Sequence, residues 1–325
     1  MRCSSKIKVL FLGMALMLLL CACGQEQIDL QYGQINLPEQ YNIDTQNSPV
    51  QISLFAEDYC AVASDITATS TIDFTQINSA GIYNLNDREV MYSYMANERI
   101  NPASLTKVMT ALLVLENCNP DDMVTVADVT IYEDGVQLFN LKEGDKISVR
   151  DLLYITMVYS GNDAALALAK HVAGTEEAFA EMMNARALAL GATNTNFVNP
   201  HGLSNENHYT TAYDLYLIFQ EAIKHDLFME IINTQSYTVT YSDAAGEFIE
   251  KTINTTNKFL NGDYDFPNTL SIIGGKTGST MAAGKCIILY ATSPSGEPYV
   301  CVIMGAADEA SLYNTMTTLC NEVVH

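Results

Sequence analysis

The 325-residue sequence predicts a mixed α/β (α+β) fold: an antiparallel sheet flanked by helices, with an all-helical subdomain beside it. Three observations lead there. Apolar runs of strand length occur near the start of the body and again near its end. Between them lies a long stretch of helical periodicity. From Ile52 onward apolar character stays high, with no internal repeat and no second linker, so one domain is expected over 52–325. A sheet drawn from both ends of such a chain must have its helices inserted in the middle.

Ala80–Leu85 and Glu89–Met95 read as strands flanking the turn residues Asn86-Asp87-Arg88. Asn101 and Pro102 suit the N-cap and first position of a helix that runs through the apolar Val108–Leu115 and stops at Asn119-Pro120. A helix apolar on nearly every side belongs in the middle of a domain. Asp151–Tyr159, Asp163–Val172, Glu176–Leu190 and Asp214–Lys224 continue as helices. Strands return at Ser236–Tyr241, Phe248–Ile253, Lys285–Thr292 and Tyr299–Ala306, the last two joined through Pro294-Ser295-Gly296. Asp308–Val323 closes the chain as a helix.

The N-terminus has its own logic. Residues 1–22 hold Arg2, Lys6, Lys8 and no acid, and carry a 12-residue apolar run, Val9–Leu20. A membrane-spanning helix takes about 20 residues, so the run reads as the core of an export signal. It ends Leu20-Cys21-Ala22-Cys23, the pattern of a lipobox, which makes Cys23 the expected lipidated N-terminus. The alternative is an ordinary signal cut nearby. Residues 23–51, with seven Gln, read as a flexible tether. Together these place the body on the outer face of a bacterial cytoplasmic membrane.

The net charge is −22, and loss of the signal leaves 13 cations against 38 acids, a charge of −25. Such a chain excludes nucleic acid, whose phosphates need basic surface, and an anionic lipid surface would repel it. Cys60, Cys118, Cys286, Cys301 and Cys320 show no paired short spacing, which disfavours structural zinc; they read as buried thiols, with disulfide pairing among them open. His201 and His208 lie close in sequence, but His201 within Pro-His-Gly-Leu reads as a loop-shaping residue rather than a metal ligand. Glu176, Glu177 and Glu181 read as a solvated helix face.

Ser104 and Lys107 are three apart at a helix start, where side chains share a face and free N–H groups favour negative charge. A serine needs a base to become a nucleophile, and a lysine serves only if burial or positive neighbours lower its pKa. The pair alone carries no weight, since Ser5 and Lys8 repeat the spacing inside the signal. Two further motifs change that. Ser160-Gly161-Asn162 falls between two helices, and Lys276-Thr277-Gly278-Ser279-Thr280 follows Gly274-Gly275 just before the β-rich end.

The ordered set Ser-x-x-Lys, Ser-Gly-Asn and Lys-Thr-Gly resembles that of penicillin-binding proteins and β-lactamases. With Asn199-Pro200-His201-Gly202-Leu203, Asn257-Lys258 and Ala283-Gly284 it resembles the serine-type D-Ala-D-Ala carboxypeptidases from about Gly81 onward. The resemblance implies a β-lactamase/transpeptidase-like fold, a peptidoglycan stem peptide ending in D-Ala-D-Ala as substrate, β-lactam binding and no cofactor. It implies that Ser104 is acylated, Lys107 takes its proton, Ser160 relays a proton to the leaving nitrogen, and Asn162 binds the substrate amide. Lys276, Thr277, Gly278, Ser279 and Thr280 are implied to bind substrate, with Lys276, Thr277 and Thr280 on the terminal carboxylate; the N–H groups of Ser104 and Ser279 would form the oxyanion hole. Many members end in a β-rich domain and a membrane helix; this sequence stops short of one, and lipid on Cys23 would supply the attachment.

Rivals share the scaffold. A class A β-lactamase would carry an E-x-x-L-N pattern that is absent here, and a non-catalytic β-lactam sensor would need transmembrane helices. A D,D-endopeptidase uses the same motifs on a crosslinked substrate. The anchor is directly testable: Cys23→Ala should abolish labelled fatty-acid incorporation and release the protein from membranes, and unaltered labelling would exclude Cys23 as the acceptor.

Overall fold

Strand β9, Pro298–Ala306, is buried from Tyr299 to its end, which requires cover on both faces. Its side chains alternate accordingly: Tyr299, Cys301 and Ile303 enter one core, and Val300, Val302 and Met304 the other. The computed structural model describes residues 59–62, 64–67, 73–133 and 135–324; the export signal, the tether and Cys23 lie outside the described residues.

β9 is the centre of a five-stranded antiparallel sheet. β1 (Ser79–Asn84) and β2 (Glu89–Tyr94) lie on one side, β8 (Gly284–Thr292) and β7 (Ser271–Thr280) on the other, in the order β2-β1-β9-β8-β7. The sheet is therefore built from both ends of the body, as the pattern predicts. One core forms between the sheet and helix α7 (Glu309–Val323), whose start is capped by the Asp308 carboxylate accepting from the Ser311 N–H. Cys301 and Cys320 sit in that core as buried free thiols.

On the opposite face lie α1 (Lys107–Asn117), α2 (Val149–Tyr154), α3 (Asn162–Ala173), α4 (Glu176–Ala189), α5 (Ala212–Ala222) and α6 (Asp226–Ile232). α1 is buried at every position from Lys107 to Val114, packed among α3, α4 and α5, as its continuous apolar run requires. α5 carries this layer onto β1 and β9. Among the described residues no helix is long and apolar enough to cross a membrane.

Three departures from the sequence reading matter. The helical part also carries a four-stranded antiparallel sheet, β3 (Met123–Thr125), β4 (Lys146–Ser148), β5 (Ser236–Ser242) and β6 (Phe248–Asn254), so it is not wholly helical. β3 and β4 are three residues each, too short to show a period. The helix expected over Asp151–Tyr159 is α2 followed by a π-helical turn, Ile155–Tyr159, ended by Ser160 at φ +68. Finally, Ser104 does not begin an α-helix. It lies in a 3₁₀ turn, Ala103–Thr106, because Ala103 adopts φ +49 and breaks the helical path; Asn101 Oδ1 accepts from the Ala103 N–H at 3.0 Å.

Asp163, at the start of α3, connects this layer to the loop before β4. Its carboxylate accepts backbone N–H groups of Phe139 at 2.9 Å, Asn140 at 2.7 Å, Leu141 at 3.0 Å and Ala164 at 3.0 Å, and the side chain is buried. Removing an ionised acceptor strands buried donors. Asp163→Ala should lower unfolding stability by about 3 kcal/mol, with Asp163→Asn intermediate. Urea midpoints at constant m-value check this, and a change below about 0.5 kcal/mol would contradict it.

Candidate active site

A cleft of about 650 Å³ opens between the 3₁₀ turn, the Ser160 turn and β7, and Ser104, Ser160, Asn162, Thr277, Gly278 and Thr280 all line it. The three motifs, the first and last beginning 172 positions apart in the chain, meet on this one surface.

Lys107 is the pivot. It is 0% exposed, and Nζ lies 2.8 Å from Ser104 Oγ, 2.6 Å from Asn162 Oδ1 and 2.6 Å from the carbonyl oxygen of His201. Burial, and then the charge of Lys276, hold the amine well below the ordinary lysine range; Asp163 pulls weakly the other way. A neutral amine has two N–H bonds and one lone pair. The amide and carbonyl oxygens can only accept, so they claim both N–H bonds and leave the lone pair facing the Ser104 hydroxyl.

Lys276 stands on β7 at 1% exposure and donates to Ser160 Oγ at 2.9 Å and the Thr277 carbonyl at 2.8 Å. Burial brings it down to about 7, so it is not the ordinary ammonium that a carboxylate-binding lysine alone would imply. The Lys-Thr-Gly motif lies inside β7 rather than before the β-rich end, because glycines and small polar residues hide the alternation of this strand. β7 packs against the 3₁₀ turn, and the approach is tight at Gly278, where a Cβ would stand 3.0 Å from the Ser104 backbone nitrogen. Thr277 Oγ1 shares a 2.6 Å hydrogen bond with Thr256 Oγ1; Thr280 Oγ1 accepts from the Ala283 N–H at 3.0 Å and keeps its own proton. Ser279 follows Gly278 on the cleft wall.

Contacts that motif reading did not give complete the site. The 199–203 loop is fastened to α1 by Lys107 on the His201 carbonyl and by Thr110 Oγ1 donating to the Pro200 carbonyl at 2.6 Å. Glu176 is not a plain solvated residue: its carboxylate lies 3.3 Å from His201 Nε2. His201 Nδ1 accepts from the Leu203 N–H at 3.3 Å, and burial lowers the ring's pKa. Thr256 beside the familiar Asn257-Lys258 pair was findable; a backbone carbonyl as the lysine's partner was not.

A buried amine with its lone pair on a serine, beside a second amine that can be cationic, is equipped to transfer an acyl group from an anionic substrate to that serine. The comparisons agree. D-alanyl-D-alanine carboxypeptidase DacF of Bacillus subtilis is 33% identical over 242 residues, 71% of this chain and 58% of that one. A D-alanyl-D-alanine endopeptidase of Pseudomonas aeruginosa is 33% identical over 66% of each chain. The solved DD-transpeptidase of Streptomyces K15 superimposes with a TM-score of 0.71 at 29% identity, covering 78% of this chain and 98% of that one. The chain spans little more than half the length of DacF and of the Escherichia coli carboxypeptidase DacC, 58% and 54%. Residues 67–308 match the D-alanyl-D-alanine carboxypeptidase family, peptidase S11, and the chain belongs to it.

Proposed function

We propose that this chain is a penicillin-binding serine D-Ala-D-Ala carboxypeptidase that removes the terminal D-alanine from peptidoglycan stem pentapeptides. The observation that carries the reading is the fully buried Lys107 amine, 2.8 Å from Ser104 Oγ and bonded otherwise only to acceptors.

The substrate's terminal carboxylate enters the field of Lys276 and takes hydroxyl donors from Thr277 and Thr280. Asn162 spends Oδ1 on Lys107, which leaves its Nδ2 to donate to the substrate amide. Ser104 Oγ attacks the carbonyl between the two D-alanines and gives its proton to Lys107. The oxyanion faces the N–H groups of Ser104 and Ser279, a contribution of about 3 kcal/mol per donor. Ser160, held by Lys276, passes its proton to the leaving nitrogen and is reprotonated at the expense of the Lys107 ammonium; the C–N bond breaks, D-alanine departs and Lys107 is again a free amine. Water then gives a proton to Lys107 and attacks the Ser104 ester, and Lys107 returns that proton to Ser104 Oγ as the ester bond breaks, which regenerates the enzyme.

The similarity to D-alanyl-D-alanine endopeptidases favours a second reading, cleavage of crosslinks by the same acyl chemistry. A pentapeptide stem and a crosslinked dimer separate the two: free D-alanine supports the first reading, monomer release the second. Lipid on Cys23, if processed as the Leu20-Cys21-Ala22-Cys23 junction reads, would hold the enzyme at the outer face of the cytoplasmic membrane, where its substrate lies.

Treatment with penicillin should leave one covalent adduct, on the peptide containing Ser104; mass spectrometry placing it on Ser160 or Ser279 would reverse the assignment. The pH profile tests the bases. Lys107 acts as a free amine and Lys276 as an ammonium, so acylation should climb as pH rises through the Lys107 ionisation and fall as Lys276 loses its proton near 7. Lys107→Arg should slow acylation by about 10³-fold. Lys276→Arg should retain part of the rate and lose the alkaline limb, because a guanidinium does not titrate in this range. Rates with a fluorescent penicillin from roughly pH 4 to pH 10 decide the matter; a folded Lys107→Arg protein reacting at the parental rate would rule out Lys107 as the base.

A further inference from the structure

The residue before the nucleophile is strained. Ala103 sits at φ +49, in the left-handed region that a side chain disfavours, and such a conformation persists only where neighbours enforce it. Three do so. Asn101 Oδ1 accepts from the Ala103 N–H at 3.0 Å, and Thr106 Oγ1 donates to the Ala103 carbonyl at 2.8 Å. Gly202 presses against that same carbonyl so closely that a Cβ there would run into it.

The Thr106 hydroxyl has a second partner, His208, whose Nε2 lies 2.8 Å away. The polarity of this contact follows from the rest of the ring. Val198 N–H donates to His208 Nδ1 at 3.1 Å, so Nδ1 is bare and the proton resides on Nε2. Nε2–H therefore donates to Thr106 Oγ1, and the Thr106 proton is directed onto the Ala103 carbonyl. Asn101 Nδ2 donates to the His208 carbonyl at 3.2 Å and closes a ring of contacts through His208, Asn101, Ala103 and Thr106. His208 is 1% exposed, with its ring edge-on to Phe197.

We propose that His208 is a positioning residue: acting through Thr106, it holds the strained Ala103–Ser104 turn and so keeps the Ser104 hydroxyl aligned with the Lys107 amine. Burial brings the His208 pKa down to about 3, so the ring stays neutral and the relay keeps one polarity while the lysines titrate. The inference rests on the reading of Ser104 as the acylated serine. A packing role alone would place His208 in the core equally well, but would not require the Thr106 hydroxyl.

The test is a double-mutant cycle read as the rate of Ser104 acylation by a fluorescent penicillin, separated into reversible binding and the covalent step, well below each variant's melting temperature. His208→Leu and Thr106→Val should each slow the covalent step about tenfold while leaving reversible binding within about twofold, since misalignment acts on reaction geometry. The double variant should be no slower than the slower single one, because both remove the same contact. His208→Gln, whose amide N–H reaches toward Thr106, should recover most of the rate, as should Thr106→Ser. Variants that melt lower yet acylate at the parental rate would overturn the proposal, and so would a double variant slowed about a hundredfold, the product of independent effects. A parent protein that does not react at Ser104 would instead sink the functional reading, and this inference with it.

Discussion

The burial of the Lys107 amine is the constraint on which the rest of this site depends. Removing an ammonium from water costs several kcal/mol unless a counter-ion compensates, and among the described residues none forms an ion pair with it. Instead it offers two neutral acceptors, Asn162 Oδ1 and the His201 carbonyl, and a second amine whose charge is unfavourable nearby. The closest candidate counter-ion, Asp163, is spent on four backbone N–H groups. The cheaper solution is to leave the amine unprotonated. A structural penalty thus becomes a chemical property, because an unprotonated lysine beside a hydroxyl is a base.

That arrangement needs a rigid frame, since two lysines, two serines and an amide must stay in register to within a fraction of an ångström. The frame is the sheet. β9 is buried on both faces, and β8 and β7 follow it in antiparallel register, Lys276 opposite Ile288 in the last pair. Helix α7 contributes nothing to the cleft's hydrogen-bond network around Lys107, yet it covers the far side of the sheet and so fixes where β7 runs. The remaining precision comes from strained backbone. Ala103 and Ser160 both adopt left-handed φ, and both flank or carry a reacting hydroxyl.

Much of this was legible without coordinates. The apolar Val108–Leu115 run announced a helix in the middle of the domain, and Lys107 to Val114 are buried without exception. The strands at the two ends of the body, and the helices expected over Asp163–Val172 and Glu176–Leu190, lie within a few residues of their expected limits. The motif trio converges on one cleft. The 3₁₀ turn at Ser104 was missed because helix signals such as Asn101-Pro102 describe ordinary capping, whereas here the side chain of Asn101 supports a strained alanine. β3 and β4 were missed because three residues cannot display a period. The Lys-Thr-Gly strand was missed because its small residues carry little apolar signal.

The division has a physical basis. Sequence by itself determines what covalent spacing determines: Ser104 and Lys107 are neighbours because one helical turn makes them so, and alternation or a 3.6-residue period says which face is buried. It also names the residue types without which the chemistry has no reagents. Only the tertiary structure decided how the reagents are charged and who holds them. Burial lowers the pKa values of both Lys107 and Lys276, and the charge of Lys276 lowers that of Lys107 further, across 169 positions of chain. Glu176 on His201, His208 on Thr106 and the His201 carbonyl on Lys107 join segments that no local pattern relates. A backbone carbonyl has no identity in a sequence; it acquires a role only when folding brings a buried donor to it.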